Sequence, residues 1–210
     1  MSGLFITFEG PEGSGKSTQV RLLTQSLKAD NIDCLTTREP GGTEFANALR
    51  TILLDKNTGA ISARAELLVM EAARADHVQK VINPALAENK IVICDRYTDS
   101  SLAYQGGGRG IEFDTVEKLN DFATKDTKPD LTIILDVTPE AGLERARGYG
   151  AKELDRLESE DIDFHIRVRK TFLDLAEKSP EQYMVINGAD SVPSIAETIL
   201  KKITEIIAAK

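Results

Sequence analysis

Residues 9–18 read EGPEGSGKST, directly after the apolar run LFITF and directly before QVRLLTQSL. The run before them has the β-branched and aromatic character of a strand. The segment after them carries Val20, Leu23 and Leu27 on one helical stripe. A strand must therefore turn into a helix across Gly10, Gly13 and Gly15, with Lys16, Ser17 and Thr18 at the helix start. Gly10–Ser17 fits G-x-x-x-x-G-K-[ST], in the strand–turn–helix setting that the pattern demands. Glycines let backbone N–H groups turn inward at a helix N-terminus, where the dipole favours an anion. The stretch is expected to hold a nucleoside triphosphate on Gly10, Pro11, Glu12, Gly13, Ser14, Gly15, Lys16, Ser17 and Thr18. Lys16 would reach the outer phosphates, and the Ser17 hydroxyl would ligate Mg²⁺.

The rest of the chain repeats the alternation. Short apolar runs lie at 4–9, 34–38, 91–95, 131–136 and 183–187, most without strict alternation, as strands buried on both faces of a parallel sheet read. Helical stripes fill the gaps: Leu67, Met70, Val78 and Val81 on a long helix ending near Pro84; Val116, Leu119 and Phe122; Phe172, Leu175 and Ala176; Ile195, Ile199, Ile203 and Ile206. The prediction is an α/β fold, a five-stranded parallel sheet with helices on both faces and right-handed crossovers. No repeat or linker breaks the 210 residues, so residues 1–210 are expected to form one domain. The stretch 139–163, PEAGLERARGYGAKELDRLESEDID, is charged, holds glycines in its middle and has few apolar anchors. That composition suits a mobile lid over an active site.

Composition narrows the partners. A net charge of −8 argues against a protein that grips nucleic acid through its phosphates. Cys34 and Cys94 each sit inside an apolar run and read as buried, reduced thiols. No apolar run approaches the roughly 20 residues needed to span a bilayer, and the first residues do not read as a signal peptide, so a cytoplasmic location is expected. His77 and His165 are isolated and read as exposed or capping histidines.

What the chain does with a triphosphate is decided elsewhere. TKPD at 127–130 resembles a guanine-reading string, but it precedes the run 131–136 and so falls at the wrong end of a parallel sheet. A kinase needs extra cations for a second, acidic substrate. TREPGGT (37–43) leaves the second strand with Arg38; Arg50 lies on the following helical segment; Arg74 sits one turn from Met70; CDRY (94–97) puts Asp95 and Arg96 at the carboxyl end of the third strand. A carboxylate there holds Mg²⁺ through water, and an arginine clamps a phosphate bidentately.

With these pieces in hand, the sequence resembles the thymidylate kinase family of nucleoside monophosphate kinases. EGPEGSGKST, TREPGGT, ARADHV (73–78), DRYTDSSLAYQGGGRG (95–110), PDLTIILDVTPEAGLERA (129–146) and ELDRLE (153–158) occur in the family's order. The resemblance implies a P-loop nucleoside monophosphate kinase fold with a mobile lid. It implies transfer of the γ-phosphate of ATP, with Mg²⁺, to dTMP, and a homodimer formed through helices. Arg96 and Arg50 would hold the acceptor phosphate, with Arg38 and Pro40 of the REPGGT segment nearby. Glu12 would accept from the sugar 3′-hydroxyl, Arg74 would meet O4 of thymine, and Ser101 would read the N3 edge. Tyr104 would crowd the 2′ position, with Gln105 alongside, while Ser17 and Asp95 would organise the metal.

Members of the family draw a transition-state arginine from the P-loop or from the lid. The P-loop position here is Gly13, so Arg145, Arg147 or Lys152 would supply it, Arg147 being favoured. Two departures stand out. Met70 occupies a position where many relatives stack phenylalanine on thymine, and Tyr149 occupies the third of the alternating lid positions. Another nucleotide monophosphate kinase is the alternative reading. A non-catalytic nucleotide-binding module is disfavoured because Lys16, Ser17, Asp95 and Arg96 are all present.

Overall fold

The computed structural model describes residues 3–148 and 155–209. Strands β1 (Leu4–Glu9), β2 (Cys34–Arg38), β3 (Ile91–Asp95), β4 (Leu131–Asp136) and β5 (Tyr183–Asn187) form one parallel sheet in the order β2-β3-β1-β4-β5. Their bounds are those of the five apolar runs. The register sets Phe8 and Arg38 each opposite Asp95, and Glu9 opposite Ile134. The polar ends of β1, β2 and β3 thus meet at one edge, the carboxyl edge, where an open α/β sheet offers its crevice.

Helices cover both faces. α1 (Lys16–Ala29) and α9 (Val192–Ala209) lie on one side, where Val20, Leu23, Leu27, Ile195, Ile199 and Ile203 pack on Leu4, Ile6 and Phe8. On the other side α2 (Glu44–Leu54) packs on α3 (Ala63–His77), and Val78, Ile82 and Ala85 pack on Phe5, Val92 and Cys94. Successive residues of β1 thus bury on opposite faces, which is why its run shows no alternation. Each large side chain buried this way contributes about 1.5–3 kcal/mol. Further along lie α5 (Thr98–Ser101), α6 (Phe113–Thr124), α7 (Pro139–Gly148) and α8 (Ile162–Lys178).

The structure corrects several expectations. The long helix does not end near Pro84. It passes through a π-helical turn, Val78–Ile82, into α4 (Asn83–Ala87). The wider turn brings the Asn83 N–H to the Val78 carbonyl five residues back, which lets the helix absorb a residue with no N–H of its own. Phe122 does not join the buried stripe of α6; it is 83% exposed, while Ala123 and Asn120 turn inward. Cys34 is only half-buried because β2 is an edge strand, whereas Cys94 on β3 is buried; both are free thiols. His77 and His165 are buried, not exposed: His77 bridges Glu39 and Thr37, and His165 sits edge-on to Phe164.

Candidate active site

At the end of β1 the chain enters a glycine-rich turn that needs its glycines. Gly10 adopts φ 132°, and a Cβ there would lie 2.4 Å from the Leu135 carbonyl oxygen. Gly13 adopts φ 64°, and a Cβ there would lie 2.0 Å from the Gly142 carbonyl oxygen of α7. The P-loop and α7 therefore touch backbone to backbone. No side chain fits at position 13 in this arrangement, arginine included. Lys16 curls over the loop, its Nζ donating to the Gly10 and Pro11 carbonyls at 3.0 and 2.8 Å and to Ser14 Oγ at 3.2 Å. Burial first, and then the charge of Arg96, bring its pKa down to about 8. Ser17 Oγ donates to Asp95 Oδ2 at 2.6 Å. Hydroxyl and carboxylate oxygens side by side are hard donors of the kind Mg²⁺ takes beside substrate phosphates, so the two residues fit that ion. No larger cluster of metal-ligating side chains exists among the described residues.

A cleft of 440 Å³ opens over this loop, walled by residues 12–18, Arg38, Arg50, Asp95, Arg96 and Arg145. Arg145 donates through Nη1 to the Gly188 carbonyl at 2.8 Å, which ties α7 to the turn after β5. Arg147 lies elsewhere. It lines a groove with Glu140, Glu144 and Ile162 on another side of α7, since residues two apart on a helix do not share a face. Of the two arginines of α7, Arg145 thus faces the P-loop cleft and Arg147 does not. Tyr149 and Lys152 lie outside the described residues.

Behind the cleft is a second cavity of 130 Å³, which shares Glu12, Glu39, Arg50, Arg96 and Glu158 with it. Arg96 is the hinge between the two. Its backbone is left-handed at φ 72°, a strained setting for a non-glycine residue. Its Nη2 donates to Glu12 Oε1 at 2.8 Å, its Nη1 to the Gly10 carbonyl and Ser100 Oγ, and its guanidinium lies 4.9 Å from the Tyr104 ring centroid. Tyr104 OH donates to the same Glu12 oxygen at 2.8 Å. Burial alone would raise the Glu12 pKa, but the charges of Arg96 and Lys16 outweigh it and hold it at about 2. Glu9 fixes the strained turn from behind. Fully buried, it accepts from Tyr97 N at 2.7 Å, from Ser100 N at 3.2 Å and from Ser100 Oγ at 2.6 Å.

The far wall of this cavity carries Met70, Arg74 and Ser101. Arg74 is 3% exposed and held from all sides. Its Nε donates to Glu39 Oε2 at 2.8 Å, its Nη1 is shared among Glu71, Ser101 Oγ and Asn120 Oδ1, and its Nη2 donates to the Tyr97 carbonyl. Ser101 Oγ in turn donates to Glu71 Oε1. Arg50 and Pro40 close the near side, where Arg50 Nη1 donates to the Pro40 carbonyl at 3.1 Å. Burial, with Arg38 and Arg96 adding repulsion, lowers the Arg50 pKa. Gln105 does not reach the cavity. It is buried and donates to Glu66 instead, because the π-helical segment Leu102–Gly108 turns its side chain toward α3. Sequence reasoning missed Glu9, Glu39, Glu71 and Asn120 as braces, and Leu54, Asp155 and Leu157 as cavity wall. Only the i,i+3 spacing of Glu71 and Arg74 was a readable signal.

Two cavities that share two arginines, Arg50 and Arg96, one of them backed by a P-loop, suit transfer of a phosphoryl group between two nucleotides. With this sheet order around them they define a P-loop phosphotransferase of the nucleoside monophosphate kinase type. The family model described as "Thymidylate kinase" matches residues 8–199. The chain belongs to the thymidylate kinase family and is an enzyme of that family. It is 46% identical to the thymidylate kinase of Geotalea uraniireducens (strain Rf4) over 212 residues, covering 97% of this chain and 99% of the relative. It is 43% identical to that of Pediococcus pentosaceus over 208 residues, covering 99% and 100%. Among solved structures, the crystal structure of thymidylate kinase from Ehrlichia chaffeensis matches with a TM-score of 0.80 at 36% identity, covering 97% of this chain and 99% of that one.

Proposed function

We propose that the chain transfers the γ-phosphoryl group of ATP to dTMP, giving dTDP and ADP. The observation that carries this reading is Arg96, which lines both cavities and so faces donor and acceptor phosphates together. An oxygen of the dTMP phosphate forms the new bond to γ-phosphorus as the bond from γ-phosphorus to the ADP oxygen breaks. The acceptor phosphate is already a nucleophile, so no general base is needed, and catalysis is positioning and charge neutralisation. The P-loop residues Gly10–Thr18 hold the ATP phosphates, with Lys16 moving from the loop carbonyls onto them. Ser17 and Asp95 hold Mg²⁺, which when bound neutralises phosphate charge.

Arg96, Arg50 and Arg38 fix the acceptor phosphate. Glu12 receives the sugar 3′-hydroxyl, Tyr104 limits the 2′ side, and Arg74, Ser101 and Met70 face the base. Residues 139–163 act as a lid, and Arg145, which lines the P-loop cleft, supplies its cation. The chain forms a homodimer through its helices; exposed Phe45 and Ile52 of α2 and Leu68 of α3 support that. The enzyme works in the cytoplasm; its free cysteines support this, and no helix among the described residues is long and apolar enough to cross a membrane. A coupled assay of ATP consumption with dTMP, dUMP, dCMP, dGMP, UMP and AMP tests the reading. Preference for dTMP, with dUMP second, upholds it; preference for another acceptor keeps the chemistry and overturns the substrate.

A further inference from the structure

Glu66 on α3 is fully buried, yet it touches neither cavity. It is nevertheless held by three side chains behind the acceptor cavity, Gln105, Arg109 and Arg156. Its Oε1 accepts from Gln105 Nε2 at 2.9 Å and Arg109 Nε at 3.2 Å. Its Oε2 accepts from Arg109 Nη2 at 3.1 Å and pairs with Arg156 Nη2 at 2.6 Å. Arg156 reaches in from beyond α7. Its Nε also donates to the Leu53 carbonyl at 2.8 Å, at the end of α2. Its chain neighbours Asp155, Leu157 and Glu158 are cavity wall, as is Leu54 beside Leu53. Arg109 extends the same tie, pairing with Glu160 at 2.7 Å.

We infer that Glu66 is a positioning residue for the acceptor: through Arg156 it fastens the 155–158 segment as the outer wall of the acceptor cavity. The inference rests on reading that cavity as the dTMP site. Glu66 lies four residues before Met70 and eight before Arg74, so the helix that presents the base-facing side chains also anchors the wall opposite them. A long-range ion pair between a segment beyond α7 and α3 sets the width of the cavity. The energetic reason is burial. A carboxylate at this depth depends on its partners, and opening the wall removes the Arg156 charge and leaves Glu66 with Arg109 and Gln105 alone. The wall is thus held by the cost of opening it.

Arg156→Gln is the first test, because it leaves Glu66 still paired with Arg109. Wild-type turnover with dTMP is measured beforehand and tests the substrate reading on its own. In the variant, the KM for dTMP should rise about tenfold while the KM for ATP stays within about twofold. Hydrogen exchange of residues 155–160 should quicken, and dTMP should slow it. Arg156→Lys, which keeps one contact to Glu66, should recover part of the lost affinity, and Glu66→Gln should add little in the Arg156→Gln background. An unchanged dTMP KM, an equal rise in both KM values, or a fall in kcat alone would each overturn the inference.

Discussion

The two sides of the cleft are built on different principles. The donor side is contiguous: residues 10–18 supply backbone N–H groups, a lysine and a hydroxyl from one turn and one helix start, as P-loop geometry requires. The acceptor side is assembled from β2, α2, α3, the turn after β3 and the 155–158 segment. Its cations are held in place by carboxylates: Arg96 by Glu12 and Arg74 by Glu39, which line the cavity, and Arg74 also by Glu71, which does not. A contiguous cradle takes its precision from backbone conformation. An assembled one takes it from a buried ion network, in which each removal leaves a charge unpaired. Damage to the first should therefore stop the chemistry, and damage to the second should loosen the acceptor.

Lys16→Ala makes the sharpest test of the donor side. It removes the only ammonium in the loop, and kcat should fall by about 10³-fold or more with the circular dichroism spectrum unchanged. Near-wild-type turnover would end the assignment of the P-loop. Arg96→Ala tests the junction. It strips Glu12 of its main partner, and the dTMP KM should rise about 10²-fold with a much smaller change for ATP. If the ATP KM alone rose, Arg96 would belong to the donor side. Lid chemistry comes next. Arg145→Ala should lower kcat about tenfold or more with both KM values nearly constant, while Arg147→Ala should stay within about twofold. The reverse result would mean that α7 turns before reaction.

How much of this was legible in the sequence follows the same division. The strand bounds and the P-loop could be read directly, because apolar runs and a contiguous motif report local structure. Arg50, Arg74 and Arg96 were found because arginines at one sheet edge are conspicuous. Their braces were not. Glu39 to Arg74 spans 35 residues and Asn120 to Arg74 spans 46, and no periodicity records such a meeting. Gln105 turns to Glu66 because a π-helical segment shifts side-chain directions from those of an α-helix, and the long helix runs past Pro84 through a π-helical turn as well. Spacing alone does not separate Arg145 from Arg147, because the facing of α7 is set by its tertiary packing.

Two carboxylates three residues apart carry the comparison into solution. Glu9 is pushed up to about 8, by burial first and by the nearby Asp99 charge, while Arg96 charges hold Glu12 down to about 2 against burial. Asp99 is itself raised to about 6 by burial. For Glu9 the folded state binds the extra proton, so its contribution is full below about pH 4.5 and is lost as pH rises toward 8. For Glu12 the sign is opposite: its contribution is full above about pH 4.5 and is lost as pH falls toward 2. Glu9→Gln should therefore flatten the fall of Tm between pH 5 and 8, and Glu12→Gln should flatten the fall on the acid side. Parallel profiles for wild type and Glu9→Gln above pH 5 would show that Glu9 titrates as an ordinary carboxylate.

Met70 should give the smallest effect, and it probes the acceptor side without touching its charges. The thioether lines the cavity one turn from Arg74, and a thioether can pack on a ring face but gives up planar stacking. Phenylalanine at this position restores an aromatic pair, which is worth about 0.5–1.5 kcal/mol beyond area burial. Met70→Phe should thus lower the dTMP KM about two- to tenfold, leave the ATP KM alone and barely change kcat. The cavity is narrow, so the gain depends on the wall beyond α7 giving way by a fraction of an ångström. If Met70→Phe weakens dTMP alone but tightens it when combined with Arg156→Gln, the width set by Glu66 and Arg156 is what makes methionine the better fit. If it weakens dTMP equally in both backgrounds, the base does not lie against position 70.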